Sequence, residues 1–176
     1  EMGYECKLVV DPTLLLTRDE YVQLFGTEII KHRYSFFPYI LHENQKTVWA
    51  IANHVFSQHF KSQSDCMYCN EPISVYEWLY NIKNSKVVVT NSYHGVLFAL
   101  IFHTPFVAAP VERSGMNDRI LTILREVGLL DRIIDTDDAS TIDKVLHDPI
   151  NWDYVDEKIQ QMRDHSIAYL TMALSQ

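Results

Sequence analysis

The stretch from Lys86 to Phe102, KVVVTNSYHGVLFALIF, constrains the fold more than any other part of the chain. Three consecutive β-branched valines favour extended backbone, and a continuous apolar run suits a strand covered on both faces, as in a parallel sheet. The residues from Gly95 to Phe102 then carry no polar side chain. A helix that is apolar all round has no face to offer water and must be buried. The polar cluster TNSYHG between the two elements is therefore expected at the carboxyl end of a buried strand and the start of a buried helix.

The rest of the chain alternates in the same way. KLVVD reads as a short strand, and PTLLLT leads into a helix at RDEYVQLF. YSFFPYILH is extended in composition, with Pro38 assigning it to an edge or a bulge. NQKTVWAIANHVFSQHF has apolar residues at helical spacing, and Ser74 with Glu77 has the capping-box spacing ahead of Val75, Trp78, Leu79 and Ile82. FVAA after Pro105 reads as a central strand, NDRILTILREVG as a helix stopped by Gly128, DRII as a short strand and ASTIDKVLH as a short helix. Asn151 caps a terminal helix predicted over 151–175. The pattern predicts one three-layer, Rossmann-like α/β domain over 1–176 with a mostly parallel sheet.

Composition narrows the function classes. With 176 residues, 47% of them apolar, and only five glycines and six prolines, the chain reads as globular and rich enough in apolar groups for one core. A formal charge of -8 disfavours a nucleic-acid or anionic-membrane partner. No apolar run is long enough to cross a bilayer. The opening EMGYECKLVVD does not resemble a secretory signal, and a chain that starts so close to a strand-like run reads equally as a fragment with an upstream portion removed. The three cysteines, an odd number, are compatible with a reducing compartment. Cys66 and Cys69 form a C-x-x-C, but no second ligand pair has matching spacing, and His54 and His59 point to different helix faces. The reading is therefore no metal and no cofactor, with these cysteines acting as small hydrophobes.

In open α/β sheets ligands gather outside the carboxyl ends of strands. There, TNSYHG combines the unsatisfied N–H groups of a helix start with the Thr90 and Ser92 hydroxyls and the Asn91 amide. Gly95 permits close backbone approach and leaves room above His94. His94 is the titrating side chain of the cluster, able to act as acid or base near neutral pH. A second reading stands beside this one, in which Ser92 is only an N-cap and His94 only a satisfied structural histidine. The loop after the next strand, APVERSGMNDRI, adds Arg113 and Arg119, whose planar forks suit carboxylate and phosphate oxygens. Beside Glu112 and Asp118 they read equally as residues that solvate a loop.

Taken in order, DPTLLL, IKNSKVVVTNSYHGVLFALIFHTPFV and MNDRI with its leucine-rich helix resemble the C-terminal half of the polysaccharide pyruvyl transferase family, over about Val9 to Arg132. Ser92, Tyr93, His94 and Gly95 match that family's serine, aromatic, histidine and glycine arrangement, with tyrosine where phenylalanine is commoner. Asn117 and Arg119 resemble its asparagine and arginine at the next helix start. The resemblance implies the C-terminal lobe of a two-lobed GT-B-type enzyme, with an upstream N-terminal lobe forming the other cleft wall. It further implies transfer of a pyruvyl or carboxyvinyl group from phosphoenolpyruvate to a sugar or glycan-lipid acceptor in cell-surface polysaccharide biosynthesis. The setting implied is cytoplasmic, at the inner face of the membrane through the substrate. His94 would assist proton transfer or stabilise departing phosphate; Thr90, Asn91, Ser92, Gly95, Arg113, Asn117 and Arg119 would bind substrate. The chain departs from the family in lacking a complete N-terminal lobe and a glycine-containing loop near SQSDCMYCNEP. Two alternatives stay open: a GT-B lobe using a nucleotide sugar, and a non-enzymatic sugar-binding or assembly module.

Overall fold

The computed structural model describes residues 7–24, 33–41, 46–60, 73–111 and 117–175. Cys66, Cys69 and Arg113 lie outside them. Three short strands, β1 (Phe36–Tyr39), β2 (Val87–Thr90) and β3 (Phe106–Ala108), form a parallel sheet in the order β1-β2-β3. Pro38 sits in β1, an edge strand, where its missing N–H costs no ladder bond on the open side. The central valines are fully buried, and alternate strand residues feed two separate apolar clusters, one on each side of the sheet.

On one side lie α2 (Lys46–His59) and α6 (Ala139–His147), contributing Val48, Ile51, Val55, Ile142 and Val145. On the other lie α1 (Arg18–Leu24), α3 (Val75–Asn84), α4 (Tyr93–Phe102), α5 (Asp118–Glu126) and α7 (Trp152–Leu174). The protein is thus an α/β domain with a small three-stranded parallel sheet flanked by helices. The capping box of Ser74 and Glu77 forms, and Gly128 adopts φ 71° just after α5, as the sequence predicts.

Two predicted strands do not form. Residues 7–10 are irregular: the Val10 N–H donates to Ser166 Oγ on α7 at 3.0 Å instead of joining the sheet. The DRII segment makes a 3₁₀ turn at Leu130–Arg132 and a single parallel bridge from Ile133 to Ala108, so it only touches the edge of β3.

Helix α4 is buried from Gly95 to Phe102 and is walled by α3, α5, the sheet and a 3₁₀ turn at Pro12–Leu15. It ends at His103, which takes a left-handed conformation (φ 56°), stacks on Trp152 at 4.9 Å and hydrogen-bonds Asp156 at 2.8 Å. Helix α7 also grips the N-terminal segment, since Arg163 donates to the carbonyls of Leu14 and Leu16. Among the described residues no helix is long and apolar enough to cross a membrane.

Gly95 fixes how closely α4 approaches β2. A Cβ there would lie 2.5 Å from Thr90 Oγ1 and 3.2 Å from two further atoms of that fully buried side chain. The room above His94 expected from the sequence is therefore filled by threonine. Overpacking costs about 1–3 kcal/mol, against about 1 kcal/mol gained by alanine over glycine in a helix. We expect Gly95→Ala to lower the melting temperature by about 2–6 °C, measured by thermal denaturation. An unchanged melting temperature would put the overpacking cost at about the alanine gain, and a raised one would show that Thr90 yields at less than that.

Candidate functional site

The end of β2 is built from side chains that hold the backbone. Thr90 Oγ1 donates to the Tyr39 carbonyl at 2.5 Å and accepts from the Ser92 N–H at 3.0 Å. Asn91 Oδ1 accepts from the Leu41 N–H at 2.8 Å, while its buried Nδ2 has no partner among the described residues. Ser92 caps α4 by accepting from the Gly95 N–H at 3.3 Å. All three side chains are buried, so their first role is to tie β1, β2 and the helix start together. The backbone N–H groups of Tyr93 and His94 are different: they have no partner among the described residues, and they sit where a helix start favours negative charge.

His94 projects from this first turn with half its side chain exposed, its Nε2 3.8 Å from Asp11 Oδ1. Asp11 precedes the Pro12–Leu15 turn and caps it by accepting from the Thr13 N–H at 3.0 Å. Its other oxygen accepts from Arg119 Nη2 at 2.6 Å. Arg119, in the first turn of α5, lays its guanidinium over the Tyr93 ring at 3.8 Å, a cation–π contact worth about 0.5–1 kcal/mol at an exposed site. Four groups from three elements thus meet at the mouth of the strand: Asp11, Tyr93, His94 and Arg119.

The electrostatics follow from Asp11. Burial pushes its carboxyl up, but hydrogen bonds from Thr13 and the charges of His94 and Arg119 outweigh it and hold the group below its ordinary value. Burial, reinforced by the Asp11 charge, pushes the Tyr93 phenol up, so it remains a neutral hydroxyl. Without ligand, the Arg119 charge is largely answered by Asp11. The Arg119 side chain is 59% exposed, which leaves this pair worth about 1 kcal/mol or less.

Of the residues expected from the sequence, His94 and Arg119 come together around Asp11. Asn117 takes another role: its Oδ1 accepts from the Val111 N–H at 2.6 Å and its Nδ2 donates to the Val111 carbonyl at 2.8 Å, so it clamps the two ends of the loop and makes no side-chain cap to α5. Asp11 and Tyr93 were not among the expected binding residues. The available signal was Asp11 ahead of Pro12 and Thr13, the cap of a turn inside the DPTLLL segment.

Fold and cluster define an α/β domain with an anion-receptive helix start at the end of its central strand. The chain belongs to the polysaccharide pyruvyl transferase family, whose profile matches residues 1–112. No curated protein and no solved structure is significantly similar to it. The match contains Asp11, Tyr93 and His94 but stops short of Asn117 and Arg119, whereas the resemblance drawn from the sequence ran to Arg132. The place of Arg119 in the site accordingly rests on its contacts with Asp11 and Tyr93.

Asp11 makes two predictions together. Asparagine can still cap the turn but carries no charge, so Asp11→Asn frees Arg119 and should tighten inorganic phosphate binding by about three- to tenfold, read by calorimetric titration. Weaker binding would instead make Asp11 an aid to the anion rather than its competitor. A carboxyl with a lowered folded pKa adds stability above its unfolded value, about 3.9, and loses it as pH falls through the folded value. Asp11→Asn should therefore flatten part of the acid-induced loss of stability below about pH 4. Among the described residues, Glu20 and Asp138, also held down by hydrogen bonds, act in the same direction.

Proposed function

We propose that this chain supplies the phosphoenolpyruvate-binding part of a pyruvyl transferase that modifies a sugar hydroxyl in cell-surface polysaccharide biosynthesis. The observation that carries this reading is the meeting of His94 and Arg119 at one carboxylate beside the two open amides of α4, in a chain of this family. Phosphoenolpyruvate has a phosphate and a carboxylate separated by one carbon, so it needs two neighbouring donor sets. The α4 start with His94 is one, and the Arg119 fork, released from Asp11, is the other.

In the proposed reaction the methylene carbon gains a proton, which gives oxocarbenium character at the adjacent carbon. A sugar hydroxyl adds to that carbon and phosphate leaves. Where a cyclic ketal forms, a second hydroxyl of the same sugar takes the place of phosphate. In that case two hydroxyl protons are released, matching the one gained by carbon and the one carried off with phosphate. Where one hydroxyl reacts, the methyl group gives back the proton it gained to leave a carboxyvinyl ether, and the one hydroxyl proton leaves with phosphate. His94 is assigned to protonate or hold the departing phosphate, and Arg119 to offset charge without exchanging a proton. Thr90, Asn91, Ser92 and Gly95 serve by holding the helix start at the strand end. Asn117 serves by tying Val111 to the start of α5, the helix that carries Arg119, and Arg113 is assigned to bind the substrate anion.

The reading includes an upstream lobe as the other wall of the cleft. Helix α7 buries Val155, Ile159 and Ser166 but no residue beyond Ser166, and its last turns leave Ile167, Met172 and Leu174 exposed, the last by 86%. We assign that apolar end to contact with the proposed upstream lobe.

Calorimetric titration of the 176-residue chain tests the donor assignment. Phosphoenolpyruvate should bind, UDP should not compete, and Arg119→Ala should weaken binding about tenfold through loss of a charged hydrogen-bond donor. His94→Gln should weaken binding similarly while moving stability by no more than about 0.5 kcal/mol, because the side chain is exposed. Wild-type affinity in both variants, or preference for UDP, would overturn the reading.

A further inference from the structure

The proposed reaction leaves Tyr93 without a task. Its backbone is held by the Ser92 cap and by the buried helix that it opens, and its half-buried ring packs against the apolar cluster on that side of the sheet. The ring is thus a fixed object at the edge of the site. Two donor groups meet it from different directions. The Arg119 Cζ stands 3.8 Å from the ring centre, over the face, and the His94 ring meets it nearly edge-on, with centroids 5.5 Å apart at 67°. Both are arrangements that an aromatic quadrupole favours. The phenol stays neutral, because burial and the Asp11 charge outweigh the pull of Arg119. It offers the guanidinium no charge, so the support it gives is the π face.

Arg119 has little else to hold it. Its side chain is 59% exposed, it rises from the first turn of α5, and its hydrogen bond among the described residues is the one from Nη2 to Asp11. A free arginine side chain carries about 2 kcal/mol of rotamer entropy. A single bond to a carboxylate fixes one corner of the fork and leaves its plane free to turn. The Tyr93 face fixes that plane. When an anion takes the place of Asp11 on the guanidinium, the corner is released and the face is the constraint that remains. We infer that Tyr93 is a positioning residue, whose ring keeps the Arg119 guanidinium beside His94 and the α4 start after Asp11 has been displaced. Its purpose rests on the cluster being an anion site, but the effect is read with inorganic phosphate and without turnover.

The test joins calorimetric titration of phosphate into the 176-residue chain with NMR of the Arg119 side chain, assigned by its loss in Arg119→Ala. Tyr93→Phe keeps the ring and should bind phosphate within about twofold of wild type. Tyr93→Leu keeps the apolar packing without the π face and should weaken phosphate about two- to fivefold, the size of an exposed cation–π contact. In the Arg119→Ala background the same Tyr93→Leu change should leave affinity unchanged, because no guanidinium is left to position. In the wild-type chain the Arg119 resonances should be shifted upfield by the ring and stay so at saturating phosphate, a reading that needs no variant to fold. Wild-type affinity in Tyr93→Leu, an equal loss with and without Arg119, a loss in Tyr93→Phe as large as in Tyr93→Leu, or collapse of the upfield shift on adding phosphate would each overturn the inference. Phosphoenolpyruvate is titrated separately, so failure of the donor assignment shows on that ligand while the phosphate cycle judges Tyr93.

Discussion

The burial of α4 is the constraint on which the rest of the domain depends. Between Gly95 and Phe102 the helix has nothing to show water, so sheet, neighbouring helices and the Pro12–Leu15 turn must wall it in. Its amino end alone retains polarity, and the missing Cβ of Gly95 lets that end press against Thr90. The amides of Tyr93 and His94, without partners among the described residues, are thereby fixed at the mouth of β2. A helix start is receptive to anions wherever it occurs; here the packing decides that it stays in one place and faces a crevice.

The same packing brings in the countercharge. Helix α7 holds the N-terminal segment through Ser166 and Arg163, and that segment carries Asp11 to His94 and Arg119. The Arg119 charge is therefore largely answered by a carboxylate of that segment. Such a carboxylate keeps the guanidinium oriented against Tyr93 and makes stray anions compete for it. The geometry of the cluster therefore depends on α7, whose first half packs on the core and whose last turns are exposed.

Much of this could be read from the residues. The KVVVT strand, the all-apolar helix, the capping box at Ser74 and the stop at Gly128 are local signals, and tertiary structure keeps them. KLVVD and DRII did not become strands because a short apolar run does not by itself fix where its backbone hydrogen bonds go. Val10 finds Ser166 instead, and Ile133 reaches β3 at one bridge, beside an Arg132 that is buried and donates to the Asp148 carbonyl. His94 was legible as the titrating group of its cluster. The neighbourhood of Asp11 was not, since it depends on long-range packing that joins residues 11, 94 and 119. Likewise, Thr90, Ser92 and Asn117 looked like ligand donors by type, but their hydrogen bonds go to the backbone.

The central claim is that α4's first turn and the Asp11 cluster form one anion subsite. Amide and arginine side-chain NMR of the labelled chain, titrated with phosphoenolpyruvate, tests it most directly. The account expects the largest shifts at the Tyr93 and His94 amides and at the Arg119 guanidinium, all following one binding curve. Shifts centred instead on the polar cavity around Arg18, His103 and Arg163, or separate curves for α4 and Arg119, would contradict it.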